Sequence, residues 1–120
     1  MPKAERRASR GFWRSALDFA MWIPVATPEE FENGRLVVRV EGEKTPVLLL
    51  LVGEEVFAIS DICTHDKNPL SDGPLEAYTI QCTRHGAKFD IRTGKQTMPA
   101  PRPVKAYKAK LENGQVWLEV

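Results

Sequence analysis

Apolar and polar residues alternate in short runs along most of this chain, and the runs are separated by residues that favour turns. Such a pattern is typical of β-strands, in which successive side chains point to opposite faces of a sheet. The run VLLLLV at 47–52 is apolar at every position, which predicts a central strand covered on both faces. Five strands are predicted after the first turn, at about 35–41, 46–52, 55–60, 78–82 and 87–91.

The two ends of the folded part complete this pattern. The segment MWIPVA opens a strand, and Thr27 followed by Pro28 predicts one helical turn. A tight hairpin turn is predicted at 93–95, and the chain closes with a hairpin of about 104–111 and 115–120. Many short strands separated by turns predict an all-β fold, a small antiparallel β-barrel or sandwich.

The length of the chain fits one domain, and its charge does not favour any class of binding partner. The chain has 120 residues and a net charge of +1, so nothing in its bulk composition indicates binding to nucleic acid. No run reaches the ~18 apolar residues that a transmembrane helix needs. We expect a domain at 22–120, preceded by a basic extension at 1–21 that is helical or without fixed structure.

The extension contains an arginine pair of the kind found in twin-arginine export signals. Asp18 interrupts the apolar run that such a signal requires, and that run continues directly into the first strand. Apolar residues from Phe12 to Met21 recur at helical spacing, which favours a flap packed on its own domain over a membrane anchor. We therefore expect a cytoplasmic protein.

The two cysteines and two histidines of the chain all lie in two short segments. The first reads Cys63-Thr64-His65, and after sixteen intervening residues the second reads Cys82-Thr83-Arg84-His85. Thiolate sulfur and imidazole nitrogen are the ligands of soft and borderline metal centres. Four such ligands can hold one zinc ion or, as two pairs, a two-iron cluster. Zinc fingers usually keep like ligands together, whereas here they alternate.

This spacing resembles the signature of Rieske [2Fe–2S] proteins, C-x-H followed after about sixteen residues by C-x-x-H. The resemblance extends from about residue 22 to residue 120 and is strongest to the ferredoxins of bacterial aromatic-ring dioxygenase systems. It implies that the two Cys/His loops form a cluster-binding insertion in the β-fold. It also implies one [2Fe–2S] cluster per chain, with Cys63 and Cys82 on one iron and His65 and His85 on the other.

The residues around the ligands bear on the reduction potential. High-potential members of the family carry a disulfide between the cluster loops, but the matching positions here are Asn68 and Arg84. Those members also supply hydroxyl groups to the cluster sulfurs, whereas this chain has Ala87 and Phe89. We therefore predict a potential near the low end of the Rieske range, which runs from about −150 to +300 mV.

Other residues near the ligands are assigned supporting roles. Gly86 lets backbone amides approach the cluster, and prolines such as Pro69 and Pro101 shape loops that shield it from water. Exposed charges beside the ligands are candidates for partner docking. These charges are Asp66, Lys67, Arg84 and Lys88.

The resemblance implies a one-electron carrier between a flavin-containing reductase and an oxygenase or similar redox protein. The chain lacks the additional histidines that the mononuclear iron of an oxygenase would need, and it has no Gly-rich nucleotide motif of a reductase. We therefore expect an electron-transfer component that is not itself an enzyme, and a monomer. The alternatives are a small subunit of a larger assembly, as in nitrite reductases, and a redox sensor or accessory protein.

Overall fold

The computed structural model describes the backbone of residues 5–8 and residues 22–64, 68–83, 86–98 and 100–119. Within these ranges the chain forms eleven strands and one short 3-10 helix at Pro28–Glu30. The strands are β1 (Glu5–Ala8), β2 (Trp22–Ala26), β3 (Arg35–Val40), β4 (Val47–Val52), β5 (Glu55–Ser60), β6 (Leu75–Glu76), β7 (Thr79–Gln81), β8 (Lys88–Asp90), β9 (Ala106–Tyr107), β10 (Ala109–Glu112) and β11 (Gln115–Glu119).

The strands form three sheets. The largest has the order β1-β3-β4-β5-β9, and the two smaller ones have the orders β10-β11-β2 and β6-β7-β8. Within the described ranges every pairing is antiparallel except that of β1 with β3, which is parallel. The predicted all-β fold is confirmed, and β6 to β8 form an insertion between β5 and β9.

The five-stranded sheet is buried on both faces, which explains the uniformly apolar sequence of β4. Val47 and Leu49 pack into one core with β2 and β11, whereas Leu48 and Leu50 pack into a second core with the insertion. All four side chains are fully buried. The prediction of a central strand at 47–52 is confirmed, since β4 lies between β3 and β5.

Most predicted boundaries agree with the structure to within one or two residues, but the predicted strand at 104–111 is wrong. Residues 106–107 form β9, which pairs with β5, and residues 109–112 form β10, which pairs with β11. The chain changes sheets at Lys108, whose carbonyl accepts a hydrogen bond from Glu119 N at 2.9 Å. A change of sheet inside one continuous run of strand-like sequence depends on packing between the sheets, and strand periodicity does not report it.

The basic extension is described only over residues 5–8. These four residues form β1, in a segment for which we expected helix or no fixed structure. The predicted helix at Phe12–Met21 lies outside the described residues. Among the residues described, no helix is long and apolar enough to cross a membrane.

Candidate metal centre

Both cysteines are buried in the core that lies between the central sheet and the insertion. Cys63 is 0% and Cys82 is 1% exposed, and neither forms a disulfide. They share this core with Ala87 and Phe89 at the second loop and with Ala100 farther along the chain. His65 and His85 lie outside the described residues. The structure thus brings the two predicted sulfur ligands into one buried cluster.

Each cysteine loop is closed by a backbone hydrogen bond, and the two bonds have the same pattern. Cys63 N donates to the carbonyl of Asn68 at 2.7 Å, and Cys82 N donates to the carbonyl of Ala87 at 2.7 Å. Each bond encloses four residues, and each enclosed segment contains one of the predicted histidine ligands. Two matching loops, each with a buried thiol and an imidazole, fit the two-sulfur, two-nitrogen donor set of a Rieske cluster.

The first loop is held by polar groups that the sequence analysis did not identify. The buried carboxylate of Asp61 accepts a hydrogen bond from Ser71 N at 2.7 Å. From β3, Arg35 Nη1 donates to the carbonyl of Ser71 at 2.8 Å and also to the carbonyl of Gly73. The guanidinium group thereby connects the central sheet to the segment that follows the first loop. No local signal in the sequence marks this role, because Arg35 is more than 30 residues from its partners.

The second loop contains a left-handed backbone conformation and buried apolar side chains. Gly86 has a φ of +77°, a left-handed conformation that glycine adopts without steric cost. A Cβ atom there would lie 3.5 Å from Gln81 Nε2, so its conformation, more than a lack of space, favours glycine. Ala87 and Phe89 are both fully buried, in agreement with an apolar surrounding for the second loop.

The proline-bearing segment at 97–103 is attached to both cysteine loops. Thr64 Oγ1 in the first loop donates to the carbonyl of Arg102 at 2.6 Å. On the other side, Thr97 N donates to the carbonyl of Lys88 at 2.8 Å, and Lys88 N donates to Thr97 Oγ1 at 2.9 Å. Ala100 is fully buried with the cysteines, whereas the predicted shielding residues Pro69 and Pro101 are exposed. Their shielding role stays a prediction.

The predicted docking charges are only partly described. Lys88 is exposed on β8, at the end of the second loop, as a docking residue must be. Asp66, Lys67 and Arg84 lie outside the described residues, so their role in docking stays a prediction.

An aromatic contact attaches the insertion to the central sheet. The ring of Tyr78, between β6 and β7, packs edge-to-face against Phe57 on β5, with 5.6 Å between the centroids. The guanidinium of Arg92 lies 4.6 Å from the centroid of the Tyr78 ring. The insertion is therefore joined to the rest of the fold by side-chain packing as well as by the chain itself.

Comparison with known proteins identifies the family. A family model described as the Rieske [2Fe-2S] domain matches residues 21–108. The anthranilate 1,2-dioxygenase ferredoxin subunit of Burkholderia cepacia is 35% identical over 102 residues, which are 84% of this chain and 94% of that protein. The ferredoxin component of biphenyl 2,3-dioxygenase from Rhodococcus jostii is 40% identical over 85 residues, 70% of this chain and 79% of the relative.

Solved structures of ferredoxins also resemble this chain. The ferredoxin of carbazole 1,9a-dioxygenase from Nocardioides aromaticivorans has a TM-score of 0.72 and 31% identity, covering 81% of this chain and 95% of its own. A nitrite reductase small subunit from Mycobacterium tuberculosis has a TM-score of 0.74 but 15% identity, so it shows a common fold alone.

The chain belongs to the Rieske [2Fe–2S] family. Within that family it is an electron-transfer protein of the ferredoxin type, as are the anthranilate and biphenyl relatives.

Proposed function

We propose that this chain carries single electrons from a flavin-containing reductase to a terminal oxygenase. The observation that carries the proposal is the pair of buried cysteines, not joined in a disulfide, in two loops of matching closure. The relatives support it, because they are ferredoxin components of dioxygenase systems. A further solved relative, with 28% identity and a TM-score of 0.71, belongs to a complex of reduced oxygenase and oxidised ferredoxin in carbazole 1,9a-dioxygenase.

The ligand assignment is part of this proposal. Cys63 and Cys82 bind one iron, and His65 and His85 bind the other. When bound, a Rieske cluster supplies a one-electron couple within about −150 to +300 mV. The protein places both thiols where water has little access, and buried thiolates require a partner such as a metal.

The reduction potential is expected near the low end of that range, at about −150 mV. Ala87 and Phe89 are fully buried and carry no hydroxyl group that could donate to a cluster sulfur. Asn68 stands where a cysteine would be needed for a disulfide between the loops. A redox titration followed by visible absorption measures the potential, and a midpoint above about +100 mV would contradict this expectation.

Electron transfer is tested with purified components. The oxidised protein is mixed with NADH and a flavin-containing ferredoxin reductase, and then with an oxygenase component. Reduction of the protein by the reductase, followed by its reoxidation by the oxygenase, supports the carrier function. A stable, stoichiometric complex with no electron transfer would instead favour the small-subunit alternative.

The ligand assignment is tested separately by spectroscopy. A brown protein with near-ultraviolet and visible absorption contains a cluster, whereas a colourless protein with bound zinc would contradict the assignment. His65→Ala and His85→Ala are expected to abolish the native electron-paramagnetic signal. If either variant keeps the wild-type signal, that histidine is not a ligand.

The compartment and the oligomeric state are also part of the proposal. We infer a monomer in the cytoplasm, where free thiols are maintained. The two cysteines do not form a disulfide, in support of a reducing compartment. Fractionation of the native host and size-exclusion chromatography of the purified protein test the two parts.

A further inference from the structure

Met98 is an unusually exposed apolar residue beside the metal centre. Among the described residues, Met98 and Leu111 are the large apolar side chains that are exposed, at 82% and 40% respectively. Leu111 lies on β10, in the sheet that packs on the opposite face of the central sheet from the insertion. Met98 lies in the proline-bearing segment, which is attached to both cysteine loops.

Described residues on either side of Met98 are held by hydrogen bonds. Thr97 makes two hydrogen bonds with Lys88, one from each backbone amide. Ala100 N donates to the carbonyl of Thr97 at 3.1 Å, which closes a turn that includes Met98. Ala100 itself is fully buried in the core that contains Cys63 and Cys82. The turn is therefore anchored on the inside at the metal centre, while the side chain of Met98 points to solvent.

Three basic residues lie close to Met98 along the chain or across the hydrogen bonds between Thr97 and Lys88. Lys88, Lys95 and Arg102 are exposed, and within the described part of the chain none of them forms an ion pair. The acid on the adjacent strand, Asp90, is bound by Arg92 at 2.9 Å. An apolar side chain with cations around it is the arrangement of a protein–protein contact with a desolvated centre and a charged rim.

We propose that Met98 is the apolar centre of the surface that docks on the terminal oxygenase, which meets it with an apolar pocket bordered by carboxylates. This inference rests on the proposed electron-carrier function. Methionine suits such a contact, because its flexible, polarisable side chain adapts to the shape of a pocket. The cations on the rim would attract the acidic border and orient the two proteins before contact.

The oxygenase is favoured as the occupant because a related ferredoxin has been solved in complex with one. Docking at Met98 would bring the oxygenase against the segment that covers both cysteine loops. The distance over which the electron must travel would then be short. The reductase and a second copy of this chain are the other possible occupants, and the test separates them.

The experiment measures electron transfer from the reduced, cluster-containing protein to two purified oxygenase components. These come from the anthranilate system of Burkholderia cepacia and the carbazole system of Novosphingobium. Dithionite-reduced protein is mixed with each oxygenase in a stopped-flow instrument, and the second-order rate constant is measured at low and high salt. We expect Met98→Ala to lower this constant about tenfold. Met98→Leu should retain most of it, since leucine has a similar volume.

Leu111→Ala is the matched control, because it also removes an exposed apolar side chain, and its rate should equal that of the wild type. Lys88→Glu should be slow at low salt and approach the wild-type rate at high salt, where rim charges are screened. Visible spectra should be the same in all these variants, and the midpoint potential should be unchanged in Met98→Ala, Met98→Leu and Leu111→Ala, because docking does not alter the metal centre.

Several results would overturn the inference. One is a Met98→Ala rate equal to that of Leu111→Ala, and another is a changed midpoint potential in Met98→Ala. A defect only in reduction by the reductase, or a wild-type dimer that Met98→Ala disrupts, would assign the surface to a different occupant. If the wild type itself reduces neither oxygenase, the proposed function fails, and this inference fails with it.

Discussion

Gly73 lies where two backbone segments of the insertion come very close together. A Cβ atom at this position would be 1.8 Å from the carbonyl oxygen of Gln81, a backbone atom that no rotamer change can move. We expect Gly73→Ala to displace the segment after the first cysteine loop and lower the free energy of unfolding by about 1–3 kcal/mol. Denaturant unfolding of the cluster-containing protein, followed by visible absorption and circular dichroism, measures the loss.

Gly114 provides a control for the Gly73 substitution. It lies in the turn between β10 and β11 with a φ of +73°, and a Cβ atom there would meet nothing within 4 Å. Gly114→Ala should therefore cost only the left-handed strain, about 1 kcal/mol, and leave the visible spectrum unchanged. If the two variants lose equal stability and both keep the spectrum, close packing at Gly73 is not important.

Asp90 is predicted to stabilise the fold in a pH-dependent way. The side chain of Arg92 donates hydrogen bonds to both carboxylate oxygens, at 3.1 and 2.9 Å, and this interaction lowers the pKa of Asp90. A lowered folded pKa stabilises the protein above the ordinary aspartate pKa of about 3.9, and that stabilisation is lost as the pH falls through the folded pKa. Asp90→Asn should therefore lose less stability than the wild type upon acidification.

The Asp90 prediction is tested by denaturant midpoints between about pH 6 and pH 2. Arg92 is exposed, so the difference between wild type and Asp90→Asn should be small and should shrink at high salt. Identical acid profiles for the two proteins at low salt would contradict the prediction.

At the scale of elements, the hydrogen bond from Thr64 to Arg102 connects the first cysteine loop to the proline-bearing segment. Thr64→Val keeps the shape of the side chain but removes the donor, so the carbonyl of Arg102 loses this partner. We expect a loss of about 1 kcal/mol and faster loss of the cluster, because the segment can move away from the loop more often. The measurement is the rate at which visible absorption decays in excess iron chelator.

Thr79→Val is a suitable comparison for this variant. Thr79 lies in the middle strand of the insertion and pairs with Glu76 and Asp90 through its backbone. The same chemical change should therefore leave the decay rate close to that of the wild type, since valine fits a strand well. Equal acceleration in the two variants would show that the decay reports general destabilisation and not opening of this contact.

At the scale of the whole molecule, β1 adds a parallel strand to the edge of the central sheet. Deletion of residues 1–20 removes it and exposes the edge of β3. We expect the visible spectrum to persist, because the predicted ligands all lie within residues 63–85. The melting temperature should fall, and the exposed edge should make the protein more prone to self-association.

The truncation is assessed by visible spectroscopy, thermal melting and light scattering. A loss of the visible spectrum would show that the extension is a necessary part of the metal-binding domain. An unchanged melting temperature would show that the pairing of β1 with β3 contributes nothing to stability.

Much of the fold could be predicted because it depends on local pattern. Strands β3, β4 and β5 follow from short apolar or alternating runs and from the turn residues between them, and both are properties of neighbouring residues. The short strand β6 was missed, since two residues carry no measurable period. The division between β9 and β10 was also missed, because it depends on which sheet each half pairs with.

The sequence by itself determined the chemistry of the site. The spacing of two cysteines and two histidines is a covalent property of the chain, and it specified a metal centre before any folding was considered. Only the tertiary structure decided what holds and surrounds that centre. Arg35 and Gly73 make contacts that arise when distant segments meet, and the exposure of Met98 likewise depends on the folded chain. Residues far apart in sequence have no fixed spatial relation until the sheets pack, so no pattern along the chain could identify them.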